Sequence, residues 1–196
     1  MKRSVIIVLA FLLGTVFYCT NPFDTRAPEE PDPGEQPSVG SGLQNNPNTV
    51  MTKIQLSFEE ENPQLYQDCF ADPLKIGAVF MFLPEQDEAA RLVNWTLDNE
   101  KQYFRNLVNS DGFEKAELTY TPLSEIQVTV DTFKTEFTYE ITVQFKTETD
   151  RYQGRSILGL LRAQGDQLWY IYEWVDLRLG PDRSDSTWST LKANYR

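Results

Sequence analysis

The sequence predicts an α+β domain of about 150 residues, in which helices come first and an antiparallel sheet follows. Two observations predict it. Between residues 49 and 108 the apolar residues recur at helical spacing, whereas from Ala116 onward they alternate with polar residues, as in a strand with one buried face. Helices followed by a run of strands are typical of a helix layer packed on one face of a sheet.

Start and stop signals predict the helices. Asn48 or Thr49 caps a first helix with apolar residues at positions 50, 54 and 58. The pair Asn62-Pro63 starts the next helix, because Asn is a good N-cap and Pro fits the first helical position; Asp72-Pro73 is expected to end it. A third helix is predicted over 96–108, followed by a turn.

Apolar runs and alternation predict the strands. The run 77–83 suits a short strand, and 138–146 is a long strand that alternates almost completely between apolar and polar residues. Shorter strands are predicted at 116–121 and 126–133. Two further strands, 154–162 and 168–177, form a hairpin around Gln164-Gly165-Asp166.

The first 19 residues predict export and lipid attachment. Lys2 and Arg3 precede an apolar run from Val5 to Tyr18, which is too short for a membrane-spanning helix and ends at Cys19. We interpret residues 1–18 as a lipoprotein signal peptide and Cys19 as the acylated first residue of the mature chain. Thr20, in place of an aspartate at that position, favours the outer membrane of the cell envelope.

Residues 19–48 are predicted to be a tether, and residues 49–196 the single α+β domain. Six of the chain's 11 prolines fall in the tether, together with several acids that hold it extended. Cleavage of the signal would take the net charge from −11 to −13. A chain with this much negative charge is not expected to bind nucleic acid or anionic lipid headgroups. Membrane attachment should therefore depend on the lipid anchor.

The composition excludes several kinds of chemistry. The chain has no histidine, which excludes Asp/His dyads, Ser-His-Asp and Cys-His nucleophiles and histidine-bearing zinc sites. Neither a phosphate-binding loop nor a calcium loop is present in the sequence, and we expect no metal and no cofactor. With Cys19 acylated, Cys69 has no partner for a disulfide and is interpreted as a buried core residue.

Several motifs together resemble a known group of proteins. They are Tyr66-x-x-Cys69-Phe70, the run Phe80-Met81-Phe82, the helix after Trp95, the tail from Thr187 to Arg196, and the pattern Trp169-x-Ile171-x-x-Trp174-x-Asp176. The last is the most specific. In these motifs the chain resembles uncharacterised bacterial lipoproteins with a nuclear transport factor 2-like, or polyketide-cyclase-like, domain. The resemblance implies a cone-shaped fold in which N-terminal helices pack on a strongly bent antiparallel sheet.

That fold is found in isomerases, dehydratases and non-catalytic binding domains, so it does not select a function. Enzymes of the superfamily hold an Asp, His or Tyr constellation in the cone; without histidine, a carboxylate with a tyrosine remains possible here. The tyrosines considered are Tyr103, Tyr120, Tyr139 and Tyr172, and the acids are Glu117, Glu140 and Glu173.

The preferred function is non-catalytic: the domain binds a small apolar ligand in the cone, or an envelope protein on the open sheet face. The residues predicted to line the pocket are Trp95, Tyr103, Tyr139, Phe145 and Trp174, although tryptophans at these positions would also suit the core. The alternative is a cofactor-free isomerase or dehydratase that uses a buried carboxylate and a tyrosine. A homodimer formed through the sheet is a further expectation.

Overall fold

The computed structural model describes residues 41–180 and 186–196, and the predicted signal peptide, Cys19 and most of the tether lie outside them. The core element is a five-stranded sheet in the order β1-β5-β4-β3-β2. Its strands are β1 (Met81–Leu83), β2 (Phe113–Thr129), β3 (Thr132–Phe145), β4 (Thr149–Arg162) and β5 (Trp169–Leu177). Strands β2 to β5 pair antiparallel, and β1 adds a short parallel edge along β5.

The described residues form five α-helices, most of which pack on one face of this sheet. They are α1 (Val50–Glu59), α2 (Pro63–Gln67), α3 (Pro73–Ile76), α4 (Leu97–Val108) and α5 (Trp188–Asn194), and short 3-10 turns lie at Ser41–Gln44, Pro47–Thr49 and Gln86–Glu88. The α+β class with N-terminal helices is therefore confirmed. The sheet is mixed rather than purely antiparallel, because β1 runs parallel to β5, the strand beside it.

Two Asx-Pro pairs both start helices. The Asn62 side chain accepts hydrogen bonds from the backbone N–H groups of Gln64 and Leu65 and so caps α2. Asp72 in the same way accepts from the N–H of Leu74 and caps α3. The expectation that Asp72-Pro73 ends a helix is wrong, since α2 stops at Gln67 and the same signal begins a new turn of helix that Gly77 ends at φ +71°.

Residues 113–145 form one long hairpin. The separate strands predicted at 116–121 and 126–133 are wrong in their boundaries: β2 runs through both to Thr129, and 132–133 already belong to β3. Pro122 does not break the strand, because a shift of register between Pro122 and Ser124 accommodates it. The turn comes instead at Val130-Asp131, where the run of β-branched residues 128–130 conceals it from the sequence pattern.

The core lies between the sheet and helices α1, α2, α4 and α5, and aromatic rings dominate it. Tyr66 of α2 stacks on Phe104 of α4 with ring centroids 4.2 Å apart and planes 5° from parallel. Thr96 fixes the start of α4 through a capping box with Asn99, which sets which α4 side chains face the sheet. In residues 41–180 and 186–196, no helix is both long and apolar enough to cross a membrane.

Candidate functional site

Two acidic side chains lie fully buried between the helices and the sheet: Glu100 on α4 and Asp176 on β5, each with 0% of its surface exposed. A buried carboxylate is costly unless hydrogen bonds or a cation satisfy it, so its surroundings show what the interior is built to hold. We call the Glu100 side chain and the groups around it the inner cluster.

Glu100 receives hydrogen bonds on both oxygens. The Tyr66 hydroxyl donates to Oε1 at 2.6 Å, and the indole Nε1–H of Trp95 donates to Oε2 at 2.7 Å. The Tyr103 hydroxyl lies 2.8 Å from that of Tyr66 and accepts from the indole of Trp188 at 2.9 Å. Burial is the main cause that raises the pKa of Tyr66 and of Tyr103, and both hydroxyls therefore stay protonated.

The cation of the inner cluster is Lys192 of α5. Its Nζ lies 2.9 Å from each oxygen of Glu100, and the side chain is completely buried. The same nitrogen lies 3.6 Å from the ring centroid of Phe82 and 3.9 Å from that of Trp174, with the Tyr103 ring at 5.6 Å. Aromatic faces attract a cation, and burial opposes its charge and lowers the pKa of Lys192.

Asp176 organises a second network beside the first. Its Oδ1 accepts from the Tyr139 hydroxyl at 2.6 Å, and its Oδ2 accepts from the backbone N–H and hydroxyl of Ser189 at 2.7 and 2.6 Å. Tyr139 in turn accepts from the Trp188 N–H at 2.7 Å. Burial raises the pKa of Asp176, although the Ser189 and Tyr139 hydrogen bonds favour its ionised form.

Both networks end on α5. At the start of this helix the Thr187 N–H donates to the Thr190 hydroxyl at 3.2 Å, and Trp188, Ser189 and Lys192 reach the residues beneath. Gly154 of β4 leaves the space in which the Tyr139 hydroxyl sits, since a Cβ there would collide with that hydroxyl and lie 2.8 Å from the carbonyl oxygen of Leu177. The interior beneath α5 is consequently filled by the chain's own side chains.

An open groove lies outside this interior, between α3, the segment before β1 and the start of α4. Its volume is about 550 Å³. We call it the apolar groove; its walls are Pro73, Leu74, Val79, Phe80, Trp95 and Leu97, and its polar rim includes Asp72, Asp98 and Lys101. Leu74 is 95% exposed and Val79 71% exposed, unusual values for large apolar side chains.

The structure brings some of the predicted pocket residues together. Tyr103 and Trp174 both contact Lys192, and Trp95 joins the inner cluster through Glu100 while also lining the apolar groove. Tyr139 belongs to the Asp176 network. Phe145 lies apart, half-buried against Phe113 and Tyr195 at the far end of β3.

The acids considered in the sequence lie away from both networks. Glu117 and Glu140 are exposed, and Glu173 forms an ion pair with Lys134 at 3.0 Å on the outer sheet face. Tyr120 is half-buried and lies within hydrogen-bond distance of Thr52, whereas Tyr172 packs over Gly159. None of these five residues contacts Glu100 or Asp176 within the contacts that the described residues make.

Sequence reasoning missed Glu100 and Lys192. A signal for each was present: Glu100 continues the apolar stripe of α4 through Phe104 and Leu107, and Lys192 lies one helical turn after Trp188. A charged residue within an apolar stripe indicates a buried partner, but the stripes do not show that the two charges meet. In the part of the chain that the structure describes, no group of three or more Cys, Asp or Glu side chains is placed to hold a metal ion.

Comparison with known proteins bears on the fold. No protein-family model matches the chain, and no curated protein matches it by sequence. Among solved structures it is similar to a nuclear transport factor 2-like superfamily protein from Salmonella enterica, with a TM-score of 0.53 and 14% identity over 74% of this chain and 98% of that one. A candidate scytalone dehydratase from Novosphingobium aromaticivorans gives a TM-score of 0.53 and 9% identity over 71% and 89%. A Mycobacterium tuberculosis protein of unknown function gives 0.50 and 14% over 71% and 79%. Identities this low show the fold alone: the chain has the nuclear transport factor 2-like fold.

Proposed function

We propose that this chain is an exported, lipid-anchored protein whose domain binds a small apolar ligand, without chemical change, in the apolar groove. The observation that supports this most is the exposure of Leu74 and Val79 beside a concavity of about 550 Å³. Such a volume falls within the range of small-molecule sites, and its apolar walls suit a hydrocarbon. The interior beneath α5, where the sequence places the ligand, is occupied by Trp188 and Lys192.

The polar rim gives the ligand an orientation. Lys101 lies 3.5 Å from Asp72 at one side of the groove, and Asp98 lies on the first turn of α4. A ligand with an apolar body and one polar end can place its body along Leu74, Val79 and Trp95 and its polar end at this rim. A few polar groups at the edge of an apolar cleft are the usual source of orientation in such sites.

Photoaffinity labelling tests the site with a defined probe. The full chain, reconstituted in lipid nanodiscs, is irradiated with a diazirine derivative of decanol, and the modified peptides are identified by mass spectrometry. We expect labelling within residues 73–80 and 94–98, and a loss of about tenfold in Leu74→Asp, which places a charge in the wall. Leu179→Asp is the matched control, because Leu179 is 49% exposed and lies outside the groove.

Labelling spread evenly over the surface, or equal in both variants, would exclude the apolar groove as a ligand site. If the domain instead binds an envelope protein on the open sheet face, we expect the decanol probe to leave the apolar groove unlabelled. The experiment therefore separates the two binding roles considered from the sequence.

The anchor has its own test. Cells expressing the chain are fed an alkyne fatty acid, and the chain is then examined for the label and for its membrane fraction. We expect both in the wild-type chain and no label in Cys19→Ala, because the thiol to which the acyl chain is proposed to attach is then missing. Label retained in Cys19→Ala would refute acylation at this residue.

The second candidate is a cofactor-free isomerase or dehydratase. One observation favours it: each buried carboxylate has a tyrosine hydroxyl 2.6 Å away, Tyr66 at Glu100 and Tyr139 at Asp176. In both cases α5 also binds the carboxylate, through Lys192 at Glu100 and Ser189 at Asp176, so turnover would require this helix to move. Deuterium exchange at the α-carbon of 2-decanone in D₂O, compared between wild type and Glu100→Gln, tests it: catalysis requires exchange above buffer that the variant loses.

A further inference from the structure

The surroundings of the Lys192 ammonium have the composition of a ligand site for cations. The nitrogen lies over the faces of Phe82 and Trp174, at 3.6 and 3.9 Å from their centroids, with Tyr103 forming a third side. Glu100 forms the base, with both oxygens at 2.9 Å. Rings on several sides and a carboxylate beneath are the arrangement by which proteins recognise organic ammonium ions. We call these four side chains the ammonium cage.

The helix whose lysine fills the cage, α5, is held over the interior by hydrogen bonds to side chains, as a bound ligand would be. α5 pairs with no strand of the sheet, and its hydrogen bonds to the interior beneath it all end on side chains of other elements. Ser189 donates to Asp176, Trp188 donates to the hydroxyls of Tyr103 and Tyr139, and Lys192 donates to Glu100. The cage itself belongs to other elements, because Phe82 is on β1, Trp174 on β5, and Glu100 and Tyr103 on α4. The cage is therefore built without any residue of α5.

Stability alone gives no reason for this arrangement. A buried ion pair is often no more stabilising than apolar side chains of the same volume, since both charges lose their hydration. Leu191, next to Lys192, shows that α5 also carries apolar residues at fully buried positions. A cage that matches an ammonium ion on every side instead indicates selectivity for that chemical group.

We propose that the ammonium cage is a binding site for small primary amines, and that Lys192 is an internal occupant with which such an amine competes. The amine places its nitrogen where Nζ lies, donates to both oxygens of Glu100 and packs its first carbons against Phe82 and Trp174. In the wild-type chain the Lys192 side chain must then leave the cage and loosen α5, so occupancy by an amine and occupancy by Lys192 exclude each other. This inference concerns the inner cluster and is independent of the ligand proposed for the apolar groove.

The first experiment vacates the cage. Lys192→Ala removes the side chain beyond Cβ, and n-propylammonium reproduces the missing atoms from Cγ to Nζ. With the full chain in nanodiscs, we expect n-propylammonium to raise the thermal midpoint of this variant and to bind at least about tenfold more tightly than 1-propanol, its neutral analogue. Lys192→Met, which refills the space without a charge, is the control and should respond to neither. Equal affinity for amine and alcohol would overturn the proposal, because the site would then be an apolar cavity only.

The second experiment uses the wild-type chain and does not depend on the variant folding. Hydrogen exchange is measured in n-butylammonium chloride and in sodium chloride of equal concentration, n-butylammonium matching a whole lysine side chain. We expect the amine to accelerate exchange of the α5 amides by about twofold or more while exchange in α1 stays unchanged. The amine is used at the concentration that saturates Lys192→Ala, or at about 0.5 M if that variant does not fold. Unchanged exchange in α5 under these conditions would overturn competition with Lys192.

Discussion

At the scale of single residues, the pairing of Glu100 with Lys192 decides how the interior tolerates charge. Neither side chain has any exposed surface, so each depends on the other and on the Tyr66 and Trp95 donors. Removing one partner leaves a buried charge without its counter-ion, whereas removing both leaves none. Comparing the loss of stability in the single variants with that in the double variant therefore measures the interaction between the two charges.

We expect Glu100→Gln to lower the free energy of unfolding by about 3–5 kcal/mol, and the double variant Glu100→Gln/Lys192→Met to recover most of that loss. Urea unfolding of the two single variants and the double variant, followed by circular dichroism, gives the coupling. Costs that simply add would show that the two charges do not interact in the folded state.

Gly154 is a second residue on which the interior depends. Its missing Cβ leaves room for the Tyr139 hydroxyl that donates to Asp176, and the Leu177 carbonyl closes the other side. We expect Gly154→Ala to cost about 1–3 kcal/mol, because neither neighbour is the end of a flexible chain. Gly165→Ala is the matched control: nothing lies within 4 Å of a Cβ at Gly165, so thermal unfolding should show little change there. Equal midpoints for the two variants would contradict this reading of Gly154.

At the scale of elements, the local sequence was sufficient to predict the helix starts but not the turn between β2 and β3. Thr96 and the Asn62-Pro63 pair mark helix starts that the structure confirms, since a cap is a local arrangement of side chain and backbone. Asp72-Pro73 carries the same signal, but its proline also suggests an end. The Val130-Asp131 turn has no such mark, and pairing with β4 fixes it instead: the Arg162 N–H donates to the Asp131 carbonyl. Long-range pairing of this kind cannot be inferred from a local pattern.

The outer half of β2 has the features of a surface that pairs with a second chain. Beyond Tyr120 every residue of the strand is exposed, and the set includes the apolar side chains Leu123, Ile126 and Val128 at 53–58% exposure. β2 is also an edge of the sheet, with one row of backbone groups unpaired by any strand of the described residues. We therefore expect a homodimer in which two β2 edges meet around a two-fold axis.

Cysteine cross-linking tests this dimer. Single substitutions Leu123→Cys, Ile126→Cys and Val128→Cys are made in the full chain, where Cys69 is buried and gives no background. Disulfide-linked dimers should form in membranes for the position nearest the axis, because a disulfide requires Cα atoms within about 7 Å. Leu179→Cys, also exposed, is the control and should remain monomeric. Absence of cross-linking at all three strand positions would contradict the β2 dimer.

At the scale of the whole molecule, the sequence predicts the class of fold well and its interior only in part. The class of fold follows from properties of single segments, which are the spacing of apolar residues, the helix caps and the pattern from Trp169 to Asp176. Each of these could be interpreted without knowing the rest of the structure. The inner cluster is assembled from α2, α4, β1, β5 and α5, whose members are separated by up to 126 positions between Tyr66 and Lys192. Tyr103 and Trp174 were predicted to share a pocket; that α5 fills the space between them depends on the tertiary structure.

The same interior should make the protein sensitive to alkali. Burial is the largest cause that raises the pKa of Tyr66, Tyr103 and Tyr139 well above their ordinary value of 10.0. In the unfolded chain these hydroxyls ionise near pH 10, while in the folded chain they stay protonated. Raising the pH through 10 therefore removes protons from the unfolded state only, and stability falls from there upward. Lys192 has the opposite sign, because its lowered pKa lets stability rise with pH, but that gain ends at its ordinary value of 10.5.

Stability should accordingly begin to fall above about pH 9, because the fold raises the pKa of the buried Cys69 thiol from its ordinary value of 9.0 to about 12, and it should fall more steeply above about pH 10, where the tyrosines of the unfolded chain ionise. Absorbance at 295 nm measures tyrosinate, and far-ultraviolet circular dichroism measures the fold in the same samples. Tyr66, Tyr103 and Tyr139 should ionise only together with loss of the circular dichroism signal. Tyr139→Phe, which removes one of the protons that the folded chain retains, should make the fall in stability above pH 10 shallower. Complete tyrosine titration with the fold intact would contradict the argument, because it would require that the hydroxyls around Glu100 and Asp176 ionise in place.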